Sequence, residues 1–192
     1  MSKDTLRVQF CGFGGQGIVL SSQIFGTASV RGPELNAVQT QSFGSEARGG
    51  ECQAELILSK QTIFSPSADE VDLMVALSQP ALNGYEERLK SGGYLLVDPE
   101  LVTSTGRTDV EVIELEARKV AGELGLELVA NMVVLGFLQE ATGVFSRSDL
   151  FVVIEDSVKE KFVKLDVQAA ERGMEIARER GISLEVSLDE NR

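Results

Sequence analysis

Four glycines within residues 12–17, Gly12, Gly14, Gly15 and Gly17, follow directly on the strand-type run 8–11. With Gln16 they form a loop between that run and a stretch of small and apolar residues, 18–30, fit for a buried helix. Strand, glycine turn and helix is the arrangement that offers backbone N–H groups at a helix N-terminus to an anion. Gly12, Gly14 and Gly17 match the G-x-G-x-x-G spacing, which alone also describes a tight turn packing a helix on a sheet. A nicotinamide dinucleotide further requires an acidic residue at the end of the second strand. Ala37, Val38, Gln39 and Thr40 stand there, and Glu34 comes too early. A Walker loop is excluded, because Ile18 and Val19 occupy the places of its Lys and Ser/Thr.

A second group lies in 42–50, where Ser42, Glu46, Arg48, Gly49 and Gly50 fall in a polar, glycine-rich segment. An arginine among glycines can meet a phosphate or carboxylate bidentately while the backbone comes close. Glu46 is placed to orient Arg48; the plainer alternative is a solvated Glu–Arg pair. Loops after the first and second strands reach the same sheet edge, which sets 12–17 and 42–50 together as candidate binding residues. Ser78, Gln79 and Asp98 fall at that edge too, where such types usually cap helices or make turns. Cys11 reads as a small core residue rather than an activated thiolate.

The elements that must position these loops alternate between strand and helix. Strands are expected over 6–11, 36–40, 51–58, 72–77, 94–97 and 110–115. A turn at 59–61 suggests a return strand over 62–64, making a β-hairpin with 51–58. Pro80 suits the first turn of a helix in which Leu82, Tyr85 and Leu89 share a face and which Gly92 and Gly93 end. Later helices are expected over 131–142, apolar nearly all round, over 150–154 with Ser148 as cap and a continuation through 159–162, and over 168–180. The fold class is α/β: a Rossmann-like, mostly parallel sheet with flanking helices and an appended β-hairpin. Residues 1–182 form a single domain, and 183–192 an acidic tail.

Bulk composition narrows the function. The chain has 192 residues, 43% hydrophobic and 25% charged, which suits one globular domain. A net charge of −12 argues against nucleic acid or an anionic membrane surface as partner. No stretch is long and apolar enough for a membrane span, so a cytoplasmic setting is expected. Two cysteines, Cys11 and Cys52, cannot hold a four-iron cluster, and no histidine exists to act as base or ligand. No catalytic residue and no metal ligand is assigned, which tilts the reading toward binding.

Six motifs in order, GFGGQG at 12–17, SFGSEARGG at 42–50, DLMVALSQPAL at 72–82, GGYLLVD at 92–98, NMVVLGFL at 131–138 and AAERGMEIA at 169–177, cover most of the chain. In these the sequence resembles the gamma subunit of the 2-oxoacid:ferredoxin (acceptor) oxidoreductases, of the 2-oxoglutarate or pyruvate type. Phe43 stands where that family is expected to carry Tyr, and Asp166 near a frequent Asn, a change expected to bear on helix capping. The resemblance implies oxidative decarboxylation of a 2-oxoacid, 2-oxoglutarate being favoured, with coenzyme A taking the acyl group and ferredoxin the electrons. It also implies alpha, beta and delta-type partner subunits, with thiamine diphosphate, Mg and iron–sulfur clusters held on partners and none by this chain alone. Its own role is then structural and on the coenzyme A side, with Gly12, Gly14, Gly15, Gln16, Gly17, Ser42, Glu46, Arg48, Gly49 and Gly50 as the contact residues. Two alternatives stand beside it: a free-standing nucleotide-binding Rossmann-type oxidoreductase, and a pure interface subunit that binds no small ligand.

Overall fold

The first strand, β1 (Thr5–Phe13), sits inside a six-stranded sheet because it alternates two kinds of face. Leu6, Val8 and Phe10 lie opposite Leu58, Leu56 and Ala54 of β3 (Glu51–Ser59) and join one hydrophobic cluster. Arg7, Gln9 and Cys11 point the other way, opposite Ile57, Glu55 and Gln53. The computed structural model describes residues 4–32, 35–43, 50–186 and 188, so Glu46, Arg48 and Gly49 lie outside the described residues.

The remaining strands are β2 (Asn36–Phe43), β4 (Val71–Ala76), β5 (Leu89–Val97) and β6 (Glu111–Glu114), in the sheet order β2-β3-β1-β4-β5-β6. β1, β4, β5 and β6 are mutually parallel; β3 runs antiparallel to both β1 and β2. The mostly parallel α/β sheet with an added hairpin is therefore as expected, but the hairpin is β2–β3. Residues 62–64 form no strand, and Phe64 is 93% exposed. β2 also reaches three residues further than the expected 36–40, since Gln41, Ser42 and Phe43 pair with Ala54, Gln53 and Cys52. Ladder hydrogen bonds carry this edge strand despite its polar side chains.

Helix α1 (Ile18–Ser29) lies across β1 and β3, with Phe25 and Ile24 fully buried. Gly26 faces Leu56, whose Cδ1 is 2.9 Å from where a Cβ would stand. Phe25 meets Phe145 edge-on at 4.9 Å, the tilted geometry that aromatic quadrupoles favour. On the opposite face α2 (Gln79–Tyr85) packs with Cys11, Met74 and Leu95. That helix has Pro80 in its first turn as expected but stops at Tyr85, and Leu89 opens β5 instead. Gly92, at φ 71, and Gly93 serve a strand irregularity rather than a helix end: the register slips between Val71–Leu89 and Leu73–Tyr94.

The C-terminal half supplies α3 (Ala117–Glu123), α4 (Ala130–Thr142), α5 (Arg147–Ser157) and α6 (Glu160–Glu179). α4 is buried along almost its whole surface, as its composition requires, and crosses α6 with backbones in contact. Ser146, not Ser148, caps α5, its Oγ accepting from the Asp149 N–H at 3.1 Å. The expected continuation through 159–162 is the first turn of α6, a separate helix that begins well before residue 168. Within the acidic stretch 183–192, Leu184 and Leu188 are buried, and the Leu184 amide donates to the Ala141 carbonyl at 2.8 Å. Among the described residues no helix is long and apolar enough to cross a membrane.

Candidate functional site

The two candidate loops emerge side by side. Gly12 at the end of β1 pairs with Cys52, and Cys52 pairs with Phe43 at the end of β2, so one row across three strands carries both loop origins. The Gly14 amide donates to the Gly50 carbonyl at 3.2 Å, tying the start of the first loop to the end of the second. Ser42 is exposed on β2 beside that row. Of the ten candidate residues, Gly12, Gly14, Gly15, Gln16, Gly17, Ser42 and Gly50 thus share one rim.

Three of the four glycines of the first loop, Gly12, Gly15 and Gly17, each have their own physical requirement. Gly15 and Gly17 hold φ at 98° and 75°, in the left-handed region. Gly17 is the N-cap of α1 and faces Asn131, whose Nδ2 is 2.5 Å from where a Cβ would stand. A Cβ on Gly12 would come within 2.5 Å of Gln16 Oε1. That helix start has no side-chain cap and no acidic residue in its first turn. The N-terminal partial positive charge of α1 is therefore uncompensated by its own cap, which favours an anion there.

Gln16 has a structural task of its own. Its Oε1 accepts from the Phe13 amide at 2.6 Å, and its Nε2 donates to the Leu77 carbonyl at 2.8 Å. One side chain thereby fixes the turn and fastens it to the end of β4. Leu77 in turn donates its amide to Cys11 at 2.8 Å. Residue type alone does not disclose this clamp, because one of its two partners, Leu77, is 61 residues away in sequence.

The other edge residues act as caps and turns. Ser78 caps α2 through the Ala81 amide, and Gln79 holds the 103–104 backbone. Asp98, 1% exposed, accepts from the amides of Glu100 at 3.0 Å and Arg118 at 2.8 Å. Cys11 is fully buried, and burial first, then the nearby Glu51 charge, push its thiol up to about 12. Iodoacetamide at pH 8 is therefore expected to leave Cys11 unmodified in the native chain and to label it in denaturant, checked by peptide mass mapping. Rapid native labelling would contradict that burial. Because the folded value lies above the ordinary thiol value of 9.0, this group favours the folded state below about pH 9, and that contribution fades as pH rises toward 12.

Two depressions of about 310 Å³ each flank the loop and share Gly15 and Leu128. One opens toward Leu77, Asp98 and Leu101 at the carboxyl ends of the strands. The other lies between α1, α4 and α6, and Asn131 and Asp166 reach it. Leu128, 64% exposed, stands between them. Sequence reasoning treated Asp166 as a capping position; it falls inside α6, 5% exposed. Asn131, a polar residue at the head of an apolar helix, was the legible sign of this second depression. A larger groove of about 800 Å³ runs under residues 61–70 at the other end of β1, away from the glycines. Among the described residues no group of three or more Cys, Asp or Glu side chains is placed to hold a metal ion.

Comparison with known proteins gives these features a family. The model of the pyruvate ferredoxin/flavodoxin oxidoreductase family matches residues 7–176. The 2-oxoglutarate synthase subunit KorC of Methanocaldococcus jannaschii is 37% identical, covering 90% of this chain and 94% of that protein. KorC of Methanothermobacter thermautotrophicus is 38% identical, covering 90% and 95%. The crystal structure of the keto/oxoacid ferredoxin oxidoreductase gamma subunit from Geobacter sulfurreducens superposes with a TM-score of 0.79 at 35% identity, over 91% of this chain and 99% of that one. With glycine loop, hairpin and buried α4 all inside the matched span, the chain belongs to the pyruvate ferredoxin/flavodoxin oxidoreductase family, as a gamma-type subunit of a 2-oxoacid:ferredoxin oxidoreductase.

Proposed function

We propose that this chain is the gamma subunit of a 2-oxoglutarate:ferredoxin oxidoreductase and that it contributes the coenzyme A side of the assembly. The observation that carries the substrate is the near end-to-end match, at 37–38% identity, to subunits named for 2-oxoglutarate synthase. The reaction joins an acyl group from the oxoacid to coenzyme A, with loss of carbon dioxide and transfer of two electrons to ferredoxin. Alpha, beta and delta-type partners hold the thiamine diphosphate, Mg and iron–sulfur clusters in this reading.

The coenzyme A role rests on the loop geometry. Uncapped amides at the start of α1, together with the glycine-rich sequence carrying Glu46, Arg48 and Gly49 that joins Phe43 to Gly50 at the same rim, suit the phosphates of a nucleotide-bearing thiol. Gly12, Gly14, Gly15, Gly17, Ser42 and Gly50 let the ligand approach the backbone, and Gln16 keeps the turn in shape for it. The assembled complex, assayed with 2-oxoglutarate, pyruvate, an aryl pyruvate and a branched-chain oxoacid, should turn over 2-oxoglutarate best. Arg48→Ala in that complex should raise the KM for coenzyme A about tenfold or more, the loss expected for a charge-assisted phosphate contact. An unchanged KM would remove Arg48 from the site, and preference for another oxoacid would overturn the substrate assignment.

A further inference from the structure

The depression between α1, α4 and α6 contains something the glycine loop does not explain. Its walls are mostly apolar, formed by Leu20, Leu128, Met132 and Phe162, with Ser157 and Lys159 exposed at the rim, yet two buried polar side chains also line it. Asn131 is 4% exposed and Asp166 5% exposed. Both line the cavity, and the Asn131 amide nitrogen also lies against the glycine loop, 2.5 Å from where a Cβ on Gly17 would stand. Burial raises the Asp166 carboxyl from its ordinary value, and Lys159, the cation lining the same cavity, is exposed at its rim. A carboxylate held without a counter-charge on an apolar floor is costly, and an arriving cation relieves that cost.

We propose that this depression is a socket for an arginine or lysine side chain of a neighbouring subunit, its aliphatic stem lying along Leu128, Met132 and Phe162 and its cationic head meeting Asp166 and Asn131. An apolar shaft ending in a buried carboxylate matches a long basic side chain, whose stem and head have opposite solvation needs. Charge favours the same occupant, since this chain carries a net −12 and is complementary to basic partner surfaces. The cavity volume of about 310 Å³ suits one such side chain with part of its backbone. Leu128, mostly exposed on the rim, supplies the surrounding apolar contact that keeps water from the pair.

The socket gives Asp166→Asn opposite effects in two settings. In the isolated full-length chain, removing a buried unpaired carboxyl leaves the melting temperature unchanged or higher. In the assembled complex, the dissociation constant for this subunit rises about tenfold or more, because the partner cation loses its counter-charge. Lys159→Met, which removes the cation lining the same cavity, leaves assembly unchanged or tighter. A second measurement uses the wild-type complex: n-butylguanidinium, an arginine side chain without its backbone, should lower the assembled fraction at concentrations where 1-pentanol does not. Unchanged subunit affinity in Asp166→Asn would overturn the proposal. So would a parallel fall in the free chain's melting temperature, which marks a purely structural carboxyl. A raised coenzyme A KM with assembly intact would assign the cavity to substrate instead, and equal effects of the two small probes would remove the cation.

Discussion

Gly136→Ala should destabilise the chain more than a typical core change, by at least about 3 kcal/mol. α4 and α6 cross with no room between them: a Cβ on Gly136 would stand 1.8 Å from the Ala170 carbonyl oxygen, and one on Gly173 would stand 2.0 Å from the Val133 carbonyl oxygen. Both obstacles are backbone, so no rotamer change relieves them, and the helices must move apart. Separation would open the packing of Met132, Val133, Phe137, Ala170 and Met174, all buried in the main cluster. In a chain of this size the loss corresponds to a fall in melting temperature of roughly 6–12 °C. Gly122→Ala is the matched control. It lies exposed in α3, and its added Cβ meets nothing closer than Glu127 Cγ at 3.6 Å, so it should gain up to about 1 kcal/mol from helix propensity. A Gly136→Ala melting temperature equal to that of the parent would show that the crossing is looser than described.

The same crossing shows what a sequence can and cannot disclose. The nearly all-apolar surface of 131–142 announced a buried helix, and apart from Ala130 and Glu140 every residue of α4 is buried. It did not announce why Gly136 and Gly173 are glycines, since the partner backbone is named only by the tertiary contact. β1, the glycine turn and α1 were legible because local chemistry decides all three: a strand-type run, positive φ at Gly15 and Gly17, and small residues for close packing. The helix expected through Leu89 was misread for the opposite reason. Leu82, Tyr85 and Leu89 have helical spacing, but parallel pairing of Leu89 with Val71 outweighs it, and Gly92 accommodates the resulting slip. The turn-type residues at 59–61 pointed to a hairpin with 62–64, while the polar run from Gln41 hid how far β2 extends. Its backbone nonetheless completes the edge of β3.

At the candidate site, the meeting of two loops at one rim was foreseeable from strand order, and Gly14 and Gly50 make it concrete. The inward roles of Gln16, Asn131 and Asp166 were not, because each depends on residues far away in the chain. Gln16 illustrates the ambiguity most clearly. A polar side chain inside a glycine loop has the same appearance in sequence whether it serves a ligand or the loop itself.

The other face of the sheet holds the second large effect. Glu55 of β3, its side chain 5% exposed, is paired at 2.7 Å with Arg88, whose side chain is 26% exposed. Glu55 also accepts from the Ala68 amide at 2.6 Å, while Arg88 donates to the Ala68 carbonyl, so the pair clasps both polar groups of one peptide position. Arg88→Met keeps the aliphatic stem but leaves Glu55 buried with its charge uncompensated. Removing one member of a buried pair costs about 3–5 kcal/mol, and the partial exposure of Arg88 places this case near the lower figure. Adding Glu55→Gln to Arg88→Met removes the stranded charge and should recover at least about 1 kcal/mol, which urea midpoints of the parent, single and double variants would measure. An Arg88→Met chain within about 0.5 kcal/mol of the parent would instead class the pair with surface salt bridges. The effect reaches the rim through β3 itself, because the register that sets Glu55 opposite Gln9 also sets Cys52 opposite Gly12. Loosening that register therefore loosens the Gly14–Gly50 tie, so destabilised variants should lose the shape of the two-loop rim before the distant α4–α6 crossing opens. Backbone amide exchange at Gly14, compared with exchange at Phe137, would show that order.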